Sequence, residues 1–102
     1  MEINIRKTGE TLYILLDGEI DHHESATVRE QLDELIFEER PRELVFDFSK
    51  IRFMDSSGLG LVLGRYRIIK ELGGTAKIVG ASEQIEKIFK MSGVDKIVKI
   101  QK

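Results

Sequence analysis

The chain has 102 residues, enough for one compact domain that buries roughly two-thirds of its unfolded surface and too few for a second. A content of 41% hydrophobic and 33% charged residues excludes the disordered and fibrous classes. Its 16 basic and 18 acidic residues sum to −2, which supplies no basic field for nucleic acid, and the absence of cysteine excludes a disulfide framework, a thiolate metal site and a thiol nucleophile.

Met1 to Arg6 alternates polar and apolar residues, the pattern of a first strand and not of a signal peptide. Ile3 to Lys7 and Thr11 to Asp17 flank the turn-like Lys7-Thr8-Gly9-Glu10, predicting an opening hairpin. Asp21 with Glu24 three residues on is a capping box, so a helix begins here and runs to about Phe37 or Glu38. Ala26, Val28, Leu32, Leu35 and Ile36 form its apolar stripe, with Glu30, Asp33, Glu34, Glu38 and Glu39 on the solvated side. After Pro41, Glu43 to Phe48 reads as a buried strand. Leu59 to Glu71 reads as a helix closed by Gly73-Gly74, with Arg65, Arg67 and Lys70 near its C-terminus. Thr75 to Val79 is the next strand; Ser82 caps a helix carrying Ile85, Ile88 and Phe89 that Gly93 ends, and Lys96 to Ile100 forms a last strand.

Strands alternating with helices after a hairpin predict an α/β sandwich, one domain over residues 1–102, with later strands parallel and joined by right-handed crossovers. In such sheets recognition sites gather beyond the carboxyl ends of the strands. Asp21 and Ser56, each just after a strand, fall on that edge. No apolar stretch approaches the ~20 residues that span a bilayer, and the expectation is a soluble cytoplasmic protein, monomeric when free.

The stretch Phe53-Met54-Asp55-Ser56-Ser57-Gly58-Leu59-Gly60 places two hydroxyls where a helix begins, and unpaired N–H groups there stabilise an anion. Gly58-Leu59-Gly60 is not a dinucleotide fingerprint, because the next glycine is Gly64, one position late. No glycine is followed by Lys and then Ser or Thr as a P-loop requires, and Met54 stands where a nucleophile elbow needs glycine. His22 and His23 lack a partner at i+4 for a metal and read as a solvated first turn. Asp21 reads first as an N-cap. At Ser56 and Ser57 two readings stand on the residues alone, helix capping or phosphate chemistry. The run Leu59 to Gly64 covers more than one helical face, so part of it is expected as an exposed contact patch. Gly60 and Gly64 each cost ~1 kcal/mol against Ala in a helix, which close approach of a partner backbone or tight packing on the sheet would explain equally.

Gly18-Glu19-Ile20-Asp21-His22-His23, the Phe53 to Gly60 stretch, Leu63-Gly64-Arg65-Tyr66 and Met91-Ser92-Gly93 occur in an order that resembles the anti-sigma factor antagonists of the STAS family, in particular their sporulation branch. The resemblance covers nearly the whole chain and implies a STAS-type sandwich: a mixed sheet covered by helices. It further implies that Ser56 is the phosphoacceptor and Ser57 its unreacted neighbour. Asp21, Asp55, Ser57, Gly58, Leu59 and Leu61 become partner-binding residues on this reading. The implied partners are an anti-sigma factor that is also a serine kinase using ATP and magnesium, and a PP2C-type phosphatase. The chain itself would hold no cofactor or metal and would not be an enzyme. The resemblance leaves room for an antagonist in a general stress pathway and, less closely, for a nucleotide-binding STAS module or a transporter-associated one. Relatives usually continue into another helix after the last strand, whereas the sequence ends at Lys102.

Overall fold

A computed structural model describes residues 1–101. In chain order it contains β1 (Glu2–Thr8), β2 (Thr11–Ile20), α1 (His22–Glu39), β3 (Glu43–Met54), α2 (Ser57–Glu71), β4 (Thr75–Val79), α3 (Glu83–Ser92), a 3-10 turn at Val94–Lys96 and β5 (Lys99–Gln101). The five strands form one sheet in sequential order, β1 antiparallel to β2 and every later pair parallel. This is the mixed α/β sheet with an opening hairpin that the strand and helix signals predict.

Period-two alternation builds the core. Leu12, Ile14 and Leu16 of β2, Leu44, Phe46 and Phe48 of β3, and Ala76 and Ile78 of β4 join Val28, Leu32 and Ile36 of α1, Leu61, Val62 and Ile69 of α2, and Ile85 and Phe89 of α3 in one buried cluster. The Phe48 and Phe89 rings pack tilted at 5.6 Å and 58°, tying α3 to the central strand. The alternate positions of the same strands, Tyr13, Leu15 and Asp47, are half-buried. Among them the Tyr13 hydroxyl donates to Asp47 Oδ2, and the Arg6 guanidinium lies 4.9 Å from the Tyr13 ring centre.

Four expectations need correction. β3 continues six residues past Phe48 because β2 continues past a bulge and supplies partners as far as Ile20↔Met54. Gly18, at φ 139°, makes that bulge possible, a conformation L side chains rarely adopt. Within α1 the buried stripe is Val28, Leu32 and Ile36, whereas Ala26 is exposed. The last strand is shorter than Lys96 to Ile100, because after Gly93 the chain makes a 3-10 turn closed by Lys96 N–H to Gly93 O at 3.1 Å and Ile97 N–H to Val94 O at 2.9 Å. Finally, Arg65 is 5% exposed and turned inward rather than placed on the solvated C-terminal turn.

Candidate functional site

Two helices start side by side at the carboxyl ends of adjacent parallel strands. β2 ends at Ile20 opposite Met54 of β3, and the Asp55 N–H donates to Ile20 O at 3.1 Å, so the β2–α1 and β3–α2 junctions are joined by backbone. Asp21 caps α1 in extended conformation, its Oδ1 accepting from the Glu24 N–H at 2.7 Å. Asp21 therefore fills the capping role its sequence position predicts, and it lies on the same edge as Ser56.

At α2 the division of labour differs from simple serine capping. Asp55 Oδ1 accepts from the Ser57 N–H at 2.8 Å and also from the Ser57 hydroxyl, an Asx-type turn that satisfies a helix-terminal donor before the helix is formed. Gly58 N–H donates to Asp55 O at 3.1 Å. Ser56 already has helical angles, φ −62° and ψ −18°, and its side chain makes no capping hydrogen bond. It is exposed, whereas Ser57 is half-buried with its hydroxyl engaged. The Ser57 hydroxyl, and next its backbone N–H, hold the Asp55 carboxyl below its ordinary value, with lesser help from the His22 backbone N–H. His22 and His23 are exposed in the first turn of α1, as the capping box predicts.

The remaining members of the predicted partner-binding set divide by burial. Gly58 is buried against Met54; a Cβ there would sit 2.3 Å from Met54 Cγ and 2.4 Å from Sδ. This glycine serves the packing of α2 on β3. Leu59 is half-buried and packs against the rim of the core, keeping a face on the edge. Leu61 is corrected: at 3% exposure it belongs to the core cluster and offers a partner almost nothing. Helical geometry turns Leu61, Arg65 and Ile69 to one face, and that face is the one α2 buries. Phe53, 50% exposed at the end of β3, is the large apolar side chain left open beside the serines.

Gly60 and Gly64 have open space where a Cβ would lie, so packing on the sheet explains neither. Gly60 instead borders a groove of about 300 Å³ between the first turns of the two helices, lined by His22, Ser25, Ala26 and Arg29 of α1 and Ser57 and Leu61 of α2. Among the described residues no group of three or more His, Cys, Asp or Glu is arranged to hold a metal ion, and no helix is long and apolar enough to cross a membrane.

Sequence reasoning also missed an ion pair between the helices. Arg65 Nε of α2 lies 2.7 Å from Asp33 Oδ1 of α1, and its Nη1 donates to Leu61 O at 3.4 Å. Burial is the main influence on Arg65 and pushes its pKa down, the Asp33 carboxylate opposing this and Arg29 adding to it. The spacing from Leu61 through Arg65 to Ile69 was the available signal, an arginine set in an otherwise apolar row.

The STAS domain profile matches residues 2–102. An anti-sigma F factor antagonist of Paenibacillus polymyxa is 37% identical over 98% of this chain and 86% of its own length, and one of Lysinibacillus sphaericus is 37% identical over 85% of this chain and 74% of its length. The anti-sigma-B factor antagonist of Bacillus subtilis is 27% identical over 98% of this chain and 90% of its length. Among solved structures, the anti-sigma factor antagonist SpoIIAA in its unphosphorylated form superposes with a TM-score of 0.85 at 30% identity, covering 99% of this chain and 89% of that one. The Bacillus cell fate determinant SpoIIAA in its phosphorylated form gives 0.76 at 32% identity, covering 99% and 92%. The edge built by Asp21, Asp55 and the two serines is thus carried by a chain that belongs to the STAS-domain family and is homologous to its anti-sigma factor antagonists.

Proposed function

We propose that this chain is a phosphorylation-controlled anti-sigma factor antagonist. In its unphosphorylated form it binds an anti-sigma factor and releases the sigma factor; transfer of a phosphate to Ser56 ends that binding. The observation that carries the reading is the exposed, uncapped hydroxyl of Ser56 at the head of α2, next to a second serine whose hydroxyl is occupied by Asp55. A kinase meets one available acceptor there. The anti-sigma factor supplies the kinase activity with ATP and magnesium, a PP2C-type phosphatase reverses it, and the chain holds no cofactor of its own. The sporulation branch is favoured over the general-stress branch by identities of 37% against 27%.

The physics of the switch is electrostatic. Phosphorylation adds about −1.5 to −2 charge at pH 7, taking the formal total from −2 to roughly −4. Because the Asp55 carboxylate already occupies a helix-terminal donor, the new dianion sits beside a carboxylate and is only partly compensated by the helix dipole. Covering Ser56, Phe53 and Leu59 with a partner then requires desolvating an uncompensated charge. Moving from 1% to 99% bound takes about 5.5 kcal/mol, within reach of desolvation and repulsion combined. Ser56 makes no intramolecular bond that phosphorylation would break, so the fold survives the modification.

The test is incubation with the cognate anti-sigma factor and MgATP, read by intact mass and peptide mapping. One added phosphate on Ser56, with binding lost on modification, is the expected result. Modification confined to Ser57, or equal binding of both forms, would overturn it.

A further inference from the structure

The recognition edge is assembled from two separate helices, and something must fix how far α2 sits along α1. At the sheet end the junctions are tied by Asp55 N–H to Ile20 O. Beyond that tie, the first turns of the helices do not interlock. Gly60 and Gly64 project nothing, Ser25, Ala26 and Ser57 are small, and a groove of about 300 Å³ opens between the two helices. Apolar knobs that usually set helix register are missing there.

Two to three turns further in stands Arg65, the one buried charged residue among those described, with Nε 2.7 Å from Asp33 Oδ1 and Nη1 3.4 Å from Leu61 O. A buried ion pair adds little net stability, since desolvation offsets its attraction and apolar replacements are often as stable or more so. What such a pair does supply is direction: a guanidinium and a carboxylate meet well in few geometries, and fixing register is the best-attested use of a buried polar contact. Arg29, whose charge also acts on Arg65, leaves Asp33 as its compensating anion.

We propose that the Arg65–Asp33 pair is a positioning device that sets the axial register of α2 against α1, and so holds Ser56 at the spacing from Asp21 that the anti-sigma partner reads. Neither residue touches the partner in this scheme. The inference rests on the partner-binding reading above, and its test separates the two.

The chain has no cysteine, so spin labels at His23→Cys and Arg67→Cys, exposed positions of α1 and α2, report the helix disposition cleanly. The comparison uses the native pair, the apolar Asp33→Leu/Arg65→Met variant, and Asp33→Asn, which keeps shape and removes charge. The apolar variant is expected to melt no lower than the native protein, to show a broadened label distance distribution, and to bind the anti-sigma factor about tenfold more weakly; Asp33→Asn should weaken binding severalfold. Native affinity in folded variants, or an unchanged distance distribution, overturns the proposal. If the apolar variant fails to fold, Asp33→Asn decides by the same two readings. A broadened distribution together with no binding even by the native protein would overturn the partner reading while upholding the register role.

Discussion

Asp55 Oδ1 receives both the backbone N–H of Ser57, at 2.8 Å, and the Ser57 hydroxyl, so one carboxylate oxygen organises the start of α2. The aspartate, not either serine, acts as the cap. This frees Ser56 for chemistry without making the helix depend on it.

Removing that carboxylate should therefore destabilise the fold. Asp55→Ala is expected to cost about 1 kcal/mol in urea unfolding at pH 7, and Asp55→Asn, which keeps an acceptor, less. The pH dependence has a definite sign. Because Ser57 holds the Asp55 carboxyl below its ordinary value of 3.8, its contribution is present above that value and is lost as pH falls through the lower folded one. The gap between native protein and Asp55→Asn should narrow through that acid window and nowhere above it.

Ser56→Ala should fold with stability within about 0.5 kcal/mol of the native protein, since no capping bond is lost. It should accept no phosphate and bind the anti-sigma factor constitutively. Ser57→Ala should show the opposite profile, losing about 1 kcal/mol with its bond to Asp55 yet still accepting phosphate at Ser56. Denaturant unfolding and peptide mapping of both variants check the pair.

The glycines of α2 should respond in opposite ways. Gly58→Ala drives a Cβ to 2.3 Å from Met54 Cγ, inside the buried contact with β3, and should destabilise by about 1–3 kcal/mol. Gly60→Ala meets open space and should stabilise the helix by up to about 1 kcal/mol. If a partner backbone approaches the groove there, the same methyl group weakens binding. A titration against the anti-sigma factor beside a melting curve separates the two effects.

Tyr13→Phe removes the hydroxyl bond to Asp47 and should cost about 1 kcal/mol near neutrality. Burial raises the Asp47 carboxyl, but the Tyr13 and Ser49 hydrogen bonds outweigh it and hold the value below 3.8; the same bond to Asp47 holds Tyr13 above 10.0. The Asp47 contribution is present above 3.8 and lost as pH falls through its folded value. That of Tyr13 is present below 10.0 and lost as pH rises through its folded value. The stability difference between native protein and Tyr13→Phe should vanish at both extremes.

Local signals were legible wherever one residue type determines backbone geometry. Asp21 and Ser82 accept from the third residue onward as capping rules require, and Gly93 ends α3 at φ 84°. The extension of β3 was hidden because Ser49-Lys50 reads as polar, and only the bulged neighbouring strand supplies it with pairing partners. Ser56 could be located at a helix start, but which of two adjacent serines remains free depends on where the Asp55 carboxylate turns, a contact no spacing rule encodes. Leu61 and Arg65 were misread for one reason: the run from Leu59 to Gly64 is apolar on all sides, so periodicity alone does not tell which face meets the sheet.

The pairing of Ile20 with Met54 makes the edge sensitive to parity. Side chains alternate faces along a strand, so deleting a single residue from the last turns of β3 would either invert its inward and outward positions or pull the α2 head back by one step, about 3.3 Å. Asp21 would stay where it is while Ser56 moved. Length at that junction is therefore a coding element in its own right: chains with the same serines and aspartates but one residue more or fewer there would carry the signal out of phase with its reader.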